Sequence, residues 1–159
     1  MDGKMLEALY VEKVTGADYQ LPLPKDETSG SAGLDLRADL NMNSRLSKLI
    51  LKPMARELIS TGIAVQIPNG FEGQIRPRSG LALKYGVSLV NSPGTIDYDY
   101  RGELKVLLIN FGTDSFSICH GMRIAQLIIS PIIKVKVVDC ENLETSVRGA
   151  DGFGSTGLG

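Results

Sequence analysis

Apolar residues along this chain come in short runs, cut by Gly, Pro, Asn or Asp every few positions. That punctuation predicts many brief strands and little helix. Strands are expected over residues 5–14, 33–38, 46–51, 57–67, 71–76, 87–90, 104–111, 115–119, 123–130 and 132–138. Within 33–38, Leu34 and Leu36 alternate with Asp35 and Arg37, the two-residue period of a half-buried strand. Pro68-Asn69-Gly70 marks a turn, and residues 25–33 form a polar loop. Helical spacing is confined to Ser79-Gly80-Leu81-Ala82-Leu83-Lys84, with Ser79 as its expected cap. The runs 106–109 and 127–133 are apolar on both faces. Such strands need cover on each side, from an opposite sheet plus a loop or from another subunit. The pattern predicts an all-β sandwich or jelly roll in one domain.

Composition narrows this picture. A chain of 159 residues fits a single domain, and 43% apolar with 22% charged residues excludes disorder over most of its length. Seventeen basic against eighteen acidic residues argue against coating of nucleic acid, which needs a basic excess. No apolar stretch reaches the ~18–20 residues of a membrane span. The first seven residues carry acids and lack a signal-peptide run, so a cytoplasmic location is expected. Cys119, Cys140 and His120 are too few for a four-ligand site of thiols and imidazoles, and the two cysteines are expected as buried thiols.

Five segments carry candidate chemistry: 32–38, 76–82, 91–103, 121–127 and 148–157. In the second, Arg78 brings a charged fork, while Ser79 and Gly80 bring N–H groups at a helix start. This reads either as an anion site or as a surface arginine beside an ordinary cap. The third reads as a hairpin in which residues 87–90 go out and 104–111 return. If extended, it sets Asp97 and Asp99 on one face and Tyr98 and Tyr100 on the other. That alternation suits a solvated face. Beside a phosphate site, it equally suits a carboxylate that deprotonates water, with Mg²⁺ drawn by the acids. Asn91 offers an amide to a base edge or a water. The glycine-rich end, with Phe153 as its aromatic, reads as a frayed tail or as a strap that orders over a ligand.

Taken together and in order, the five segments resemble the motifs of the trimeric deoxyuridine triphosphatases, the dUTPases. The Pro-Arg-Ser-Gly, Ile-Asp-x-Asp-Tyr-Arg-Gly and Gly-Phe-Gly-Ser-Thr-Gly strings carry the likeness, which runs from Ala32 to Gly157. The resemblance implies a dUTPase-like jelly roll, a distorted β-barrel spanning residues 1–145, with residues 146–159 as a flexible phosphate-clamping tail. It implies a homotrimer whose active sites are shared between subunits. It also implies hydrolysis of dUTP to dUMP and diphosphate with Mg²⁺ on the phosphates. That reaction keeps uracil out of DNA and supplies dUMP for thymidylate.

Carried over by residue, the resemblance makes Asp97 the general base and Asn91 a contact to uracil and water. The hairpin backbone, including Thr95, Ile96 and the return strand near Lys105, would read the uracil edge, and Tyr100 would pack under the deoxyribose. Arg78, Ser79, Gly80 and Gln126 would bind phosphate oxygens, and Asp35 would hold Mg²⁺ through water. Arg148, Gly154, Ser155 and Thr156 would clasp the terminal phosphates, with Phe153 stacked on uracil. Asp151 departs from the glycine usual before Gly152-Phe153. Two rivals share these features. A dCTP deaminase-like enzyme on the same fold would use a glutamate, and Glu103 lies near the hairpin. A non-catalytic nucleotide-binding regulator would keep all five segments. The complete 148–157 segment and the string from Asp97 to Tyr100 favour the diphosphatase.

Overall fold

Alternate side chains of one long strand, β8 (Glu103–Asn110), build the centre of the molecule: Leu104, Val106 and Leu108 are fully buried, while Lys105 is exposed. The period-two pattern is thus obeyed where one face meets the core. The computed structural model describes residues 8–150. In chain order the remaining elements are β1 (Tyr10–Lys13), β2 (Leu34–Arg37), β3 (Leu49–Leu51), β4 (Arg56–Gln66), β5 (Phe71–Arg76), α1 (Ser79–Tyr85), β6 (Val87–Leu89), β7 (Gly94–Ile96), β9 (Phe116–Ile118) and β10 (Arg123–Pro131). Two four-stranded antiparallel sheets, ordered β1-β4-β8-β6 and β2-β10-β5-β7, are joined by a β3-β9 pair. Leu36, Leu104, Leu108, Ile118 and Leu127 fill the space between them. This is the jelly-roll arrangement expected from the spacing of the runs.

Asn110, fully buried, is paired throughout. Asn110 donates from Nδ2 to Leu51 O and Asp114 O, and its Oδ1 accepts from Gly112 N–H. Asp18, Asp39, Arg45 and His120 form a second polar knot. Leu40 N–H donates to His120 Nδ1 at 3.1 Å, which leaves the ring proton on Nε2, 2.9 Å from Asp18 Oδ2. The Gln20 N–H and then the His120 ring hold the Asp18 carboxyl below the usual aspartate range.

Several expectations need correction. Ser79 is the first residue of α1 rather than its cap. Arg78 holds the N-cap position in extended backbone, and no side chain caps the helix. A 3₁₀ turn at Met42–Ser44, capped by the Asn41 side chain, has no periodic signal to announce it. The strand expected over 5–14 is Tyr10–Lys13, its first residues lying outside the described ones. Both cysteines are exposed rather than buried. Residues 132–138 form no strand: Ile132 N–H bonds Gly70 O, and the chain then leaves the sheet with Ile133, Val135 and Val137 exposed. Pro131, which lacks an N–H, stands where the strand stops.

The expected hairpin is only half realised. β6 does pair with β8, but the chain between them crosses to the other sheet, where β7 pairs with β5. Residues 97–100 are not extended. They form a turn closed by Tyr100 N–H to Asp97 O at 3.1 Å, so Asp97 and Asp99 do not share a strand face.

Candidate active site

Two clefts gather most of the described candidate residues. The first, about 440 Å³, is lined by Glu27, Asp35, Arg76, Arg78, Arg123 and Gln126, among others. Asp35 on β2 and Gln126 on β10 are register partners, so neighbouring strands deliver them side by side. Asp35 is only 6% exposed. Its two oxygens face two arginines: Oδ1 lies 3.2 Å from Arg78 Nε, and Oδ2 accepts from Arg123 Nη1 at 2.9 Å. Arg123 Nη1 also lies 3.0 Å from Glu27 Oε1. The hydrogen bond to Asp35 holds the Arg123 guanidinium above the ordinary arginine value, against its partial burial.

Arg78 Nη1 donates to Arg123 O at 3.3 Å, while its buried Nε meets Asp35 as an ion contact without hydrogen-bond alignment. Its guanidinium therefore keeps donors for a ligand. Ser79 and Gly80, both exposed, open α1, and their N–H groups precede its first internal hydrogen bonds. The cleft thus presents fixed positive charge beside backbone donors, a setting suited to phosphate oxygens.

The second cleft, about 310 Å³, is lined by Leu58, Thr95, Ile96, Asp97, Tyr100, Glu103 and Lys105. Thr95 and Ile96 come from β7, Glu103 and Lys105 from β8, and Asp97 and Tyr100 from the turn between those strands. Asp97 is exposed, as general-base contact with a water requires. Glu103 Oε1 accepts from Gly62 N–H, and Oε2 lies 3.5 Å from Lys105 Nζ. Asn91 is exposed just before β7. Its amide packs so close to Gly94 that a Cβ there would lie 2.9 Å from Nδ2.

Asp35 on β2 and Thr95 on β7 stand three strand spacings apart, roughly 14 Å at ~4.8 Å each. The first cleft extends through β10 to Arg76 on β5, the strand that pairs with β7, yet the two clefts share no lining residue. Arg148 lies on the exposed chain end, whereas Phe153, Gly154, Ser155, Thr156 and the departure at Asp151 lie outside the described residues. Sequence reasoning assigns no role to Arg123 or Glu27. Arg123 stands inside the fourth segment, three positions before Gln126, but its pairing with Asp35 depends on strand register.

Among the described residues, no group of three acidic, histidine or cysteine side chains is gathered as metal ligands. Asp35 and Glu27 are the acids of the first cleft, and both are tied to arginine. Each carboxylate oxygen still has a lone pair free for water. This donor set fits a Mg²⁺ carried by a polyphosphate and touched through its waters, rather than one caged by carboxylates.

Fold and clefts together describe a jelly-roll protein with an arginine-lined cleft and a second cleft beside a turn-borne carboxylate. The dUTPase family model matches residues 19–157. A deoxyuridine 5′-triphosphate nucleotidohydrolase of Methylocella silvestris is 57% identical over 142 residues, covering 89% of this chain and 86% of that protein. The protein of the same name from Roseobacter denitrificans is 49% identical over 152 residues, covering 96% and 97%. Among solved structures, Staphylococcus bacteriophage 80alpha dUTPase with dUpNHpp is similar at TM-score 0.81 and 26% identity, over 96% of this chain and 100% of that one. A point mutant of the dUTPase from phage phi11 of S. aureus, described with a structural Mg(II) ion, shares the fold at TM-score 0.71 and 22% identity, over 87% of this chain and 100% of that one. The chain belongs to the dUTPase family.

Proposed function

We propose that this protein hydrolyses dUTP to dUMP and diphosphate, so limiting uracil in DNA and supplying dUMP. The observation that carries the reading is the second cleft, where an exposed carboxylate, Asp97, stands beside Thr95, Ile96, Tyr100 and Lys105. Asp97 takes a proton from water as the water attacks the α-phosphorus. Backbone of Thr95 and Ile96, with Lys105 and Asn91, reads the uracil edge. Tyr100 packs under the deoxyribose and leaves no room for a 2′-hydroxyl. Arg78, Ser79, Gly80 and Gln126 take the phosphate oxygens and offset the developing charge. Mg²⁺, when bound on the triphosphate, neutralises charge, and Asp35 meets it through water. Residues 146–159 act as the closing strap, with Arg148, Gly154, Ser155 and Thr156 on the phosphates and Phe153 on the base.

The working form in this reading is a homotrimer with shared sites, in the cytoplasm. Two observations support the trimer. The phosphate cleft and the Asp97 cleft share no lining residue within one chain, which is consistent with a site completed by a second copy. Residues 133–138 expose Ile133, Val135 and Val137 with no strand partner among the described residues. Among the described residues, no helix is long and apolar enough to cross a membrane.

The test is diphosphate release from a panel of deoxynucleoside and ribonucleoside triphosphates, with and without Mg²⁺. Release from dUTP alone is expected. Ammonia from dCTP, or tight dUTP binding without turnover, overturns the assignment. Light scattering should give three times the 17.1 kDa chain mass.

A further inference from the structure

The turn at residues 97–100 bears both Asp97 and Tyr100, yet a single backbone hydrogen bond closes it. A turn with one bond is a loose mount for a group that must aim at a reacting atom. Its order comes from the next two residues. Arg101 Nη1 donates to Tyr98 O at 2.7 Å and to Tyr100 O at 2.9 Å, which pins the turn's second and fourth carbonyls to one guanidinium. Hydrogen bonds from a charged donor are short and strong, and these two meet at one nitrogen. Arg101 is not among the residues lining the Asp97 cleft. It lines a separate groove with Tyr10, Val11, Glu12, Ala64, Val65 and Gln66.

Gly102 completes the mount. A Cβ there would press on the Tyr100 hydroxyl and lie 2.6 Å from its Cζ. The Tyr100 ring therefore folds back over the backbone of residue 102, with its hydroxyl donating to Glu103 O at 3.1 Å. Only a residue without a side chain leaves that space. Tyr98, between the two, is half-buried against the core with Lys134 Nζ 5.1 Å from its ring centroid. The turn backbone is thus held by a side chain that does not line the cleft, and Asp97 is left exposed on it.

We propose that Arg101 is a positioning residue for Asp97, clamping the carbonyls of Tyr98 and Tyr100 from behind the site, with Gly102 as the seat of the Tyr100 ring. This rests on the dUTP reading above. The intact protein and its Arg101→Ala, Arg101→Lys and Gly102→Ala variants are compared in four measurements: dUTP turnover, affinity for dUpNHpp, melting temperature, and hydrogen exchange at the Tyr100 amide.

Arg101→Ala should lower kcat by about 10²-fold, the scale of a small misplacement of reacting groups. Its dUpNHpp affinity should stay within about threefold, less than one charged hydrogen bond is worth. Tyr100 amide protection should fall about tenfold while the β8 amides keep theirs. Arg101→Lys, which retains a cationic donor, should recover part of both losses. Gly102→Ala should raise UTP turnover relative to dUTP. The proposal is overturned by unchanged amide protection in Arg101→Ala, by a kcat within twofold of the parent, or by an Arg101→Lys no better than alanine. A parent that never turns over dUTP refutes the functional reading instead, and the amide-exchange comparison still decides the clamp.

Discussion

The two clefts handle charge by opposite means. In the phosphate cleft a nearly buried carboxylate, Asp35, sits between Arg78 and Arg123, and all three are borne by strands or a helix start. In the other cleft the carboxylate of Asp97 is exposed on a turn, and its neighbouring ion pair, Glu103 with Lys105, is open to solvent at the lysine. Binding a polyphosphate needs cations fixed before the ligand arrives, and burying their counter-ion fixes them. Activating water needs a carboxylate that water can reach. Such a group cannot be held by burial, so its aim must come from the backbone that carries it.

The strongest test of this contrast is Asp97→Asn. It should lose about 10³-fold in turnover, the usual scale of general-base catalysis, while dUpNHpp binding and melting temperature stay unchanged. Intact turnover would break the assignment of the base. Asp35→Ala should behave differently, with loss in both activity and stability. It leaves Arg78 without its carboxylate and Arg123 with Glu27 alone, a cost of about 2 kcal/mol once their partial exposure is allowed for. That corresponds to a fall of roughly 4–8 °C in melting temperature. A variant that melts with the parent would erase the distinction between the clefts.

A smaller effect probes the turn-borne side alone. Tyr100→Ala should raise UTP hydrolysis relative to dUTP by about tenfold, within reach of a purely steric exclusion. Because Tyr100 is 44% exposed, the melting temperature should move little. An unchanged nucleotide ratio would place sugar discrimination elsewhere.

The same contrast explains which parts of the molecule are legible in the sequence. Phe71–Arg76 is expected with its observed limits because turn signals bound it on both sides and its pattern answers to one sheet. Arg78 and Gln126 are legible as candidates, Arg78 as a charged fork at a helix start and Gln126 through the family resemblance, and the structure places both on the first cleft. The pairing of Arg123 with Asp35 is not legible, because it exists only through the register of β10 on β2. On the other side, Asp97-Tyr98-Asp99-Tyr100 imitates the alternation of a strand, yet it forms a turn closed by its own backbone, with Arg101 on the carbonyls of Tyr98 and Tyr100. Nothing in local periodicity could reveal that β7 leaves the β6–β8 hairpin for the opposite sheet. Cys119 and Cys140 show the limit of residue type as a guide, since a burial preference yields wherever the chain runs along the surface.

Lys105 allows the finest comparison. It lies 3.5 Å from Glu103 with a side chain 45% exposed, so the pair should add no more than about 0.5 kcal/mol to stability. Lys105→Ala should therefore melt within about 2 °C of the parent while raising the KM for dUTP about threefold, the value of one modest hydrogen bond. Salt then separates the two designs. Between about 0.1 and 1 M the screening length shrinks from about 10 to about 3 Å, which removes what remains of an exposed pair and leaves a buried one largely intact. The stability gap between parent and Lys105→Ala should vanish at high salt, whereas the gap for Asp35→Ala should persist. If both gaps close together, Asp35 is no more sheltered than Lys105, and the phosphate cleft is organised by its ligand rather than in advance of it.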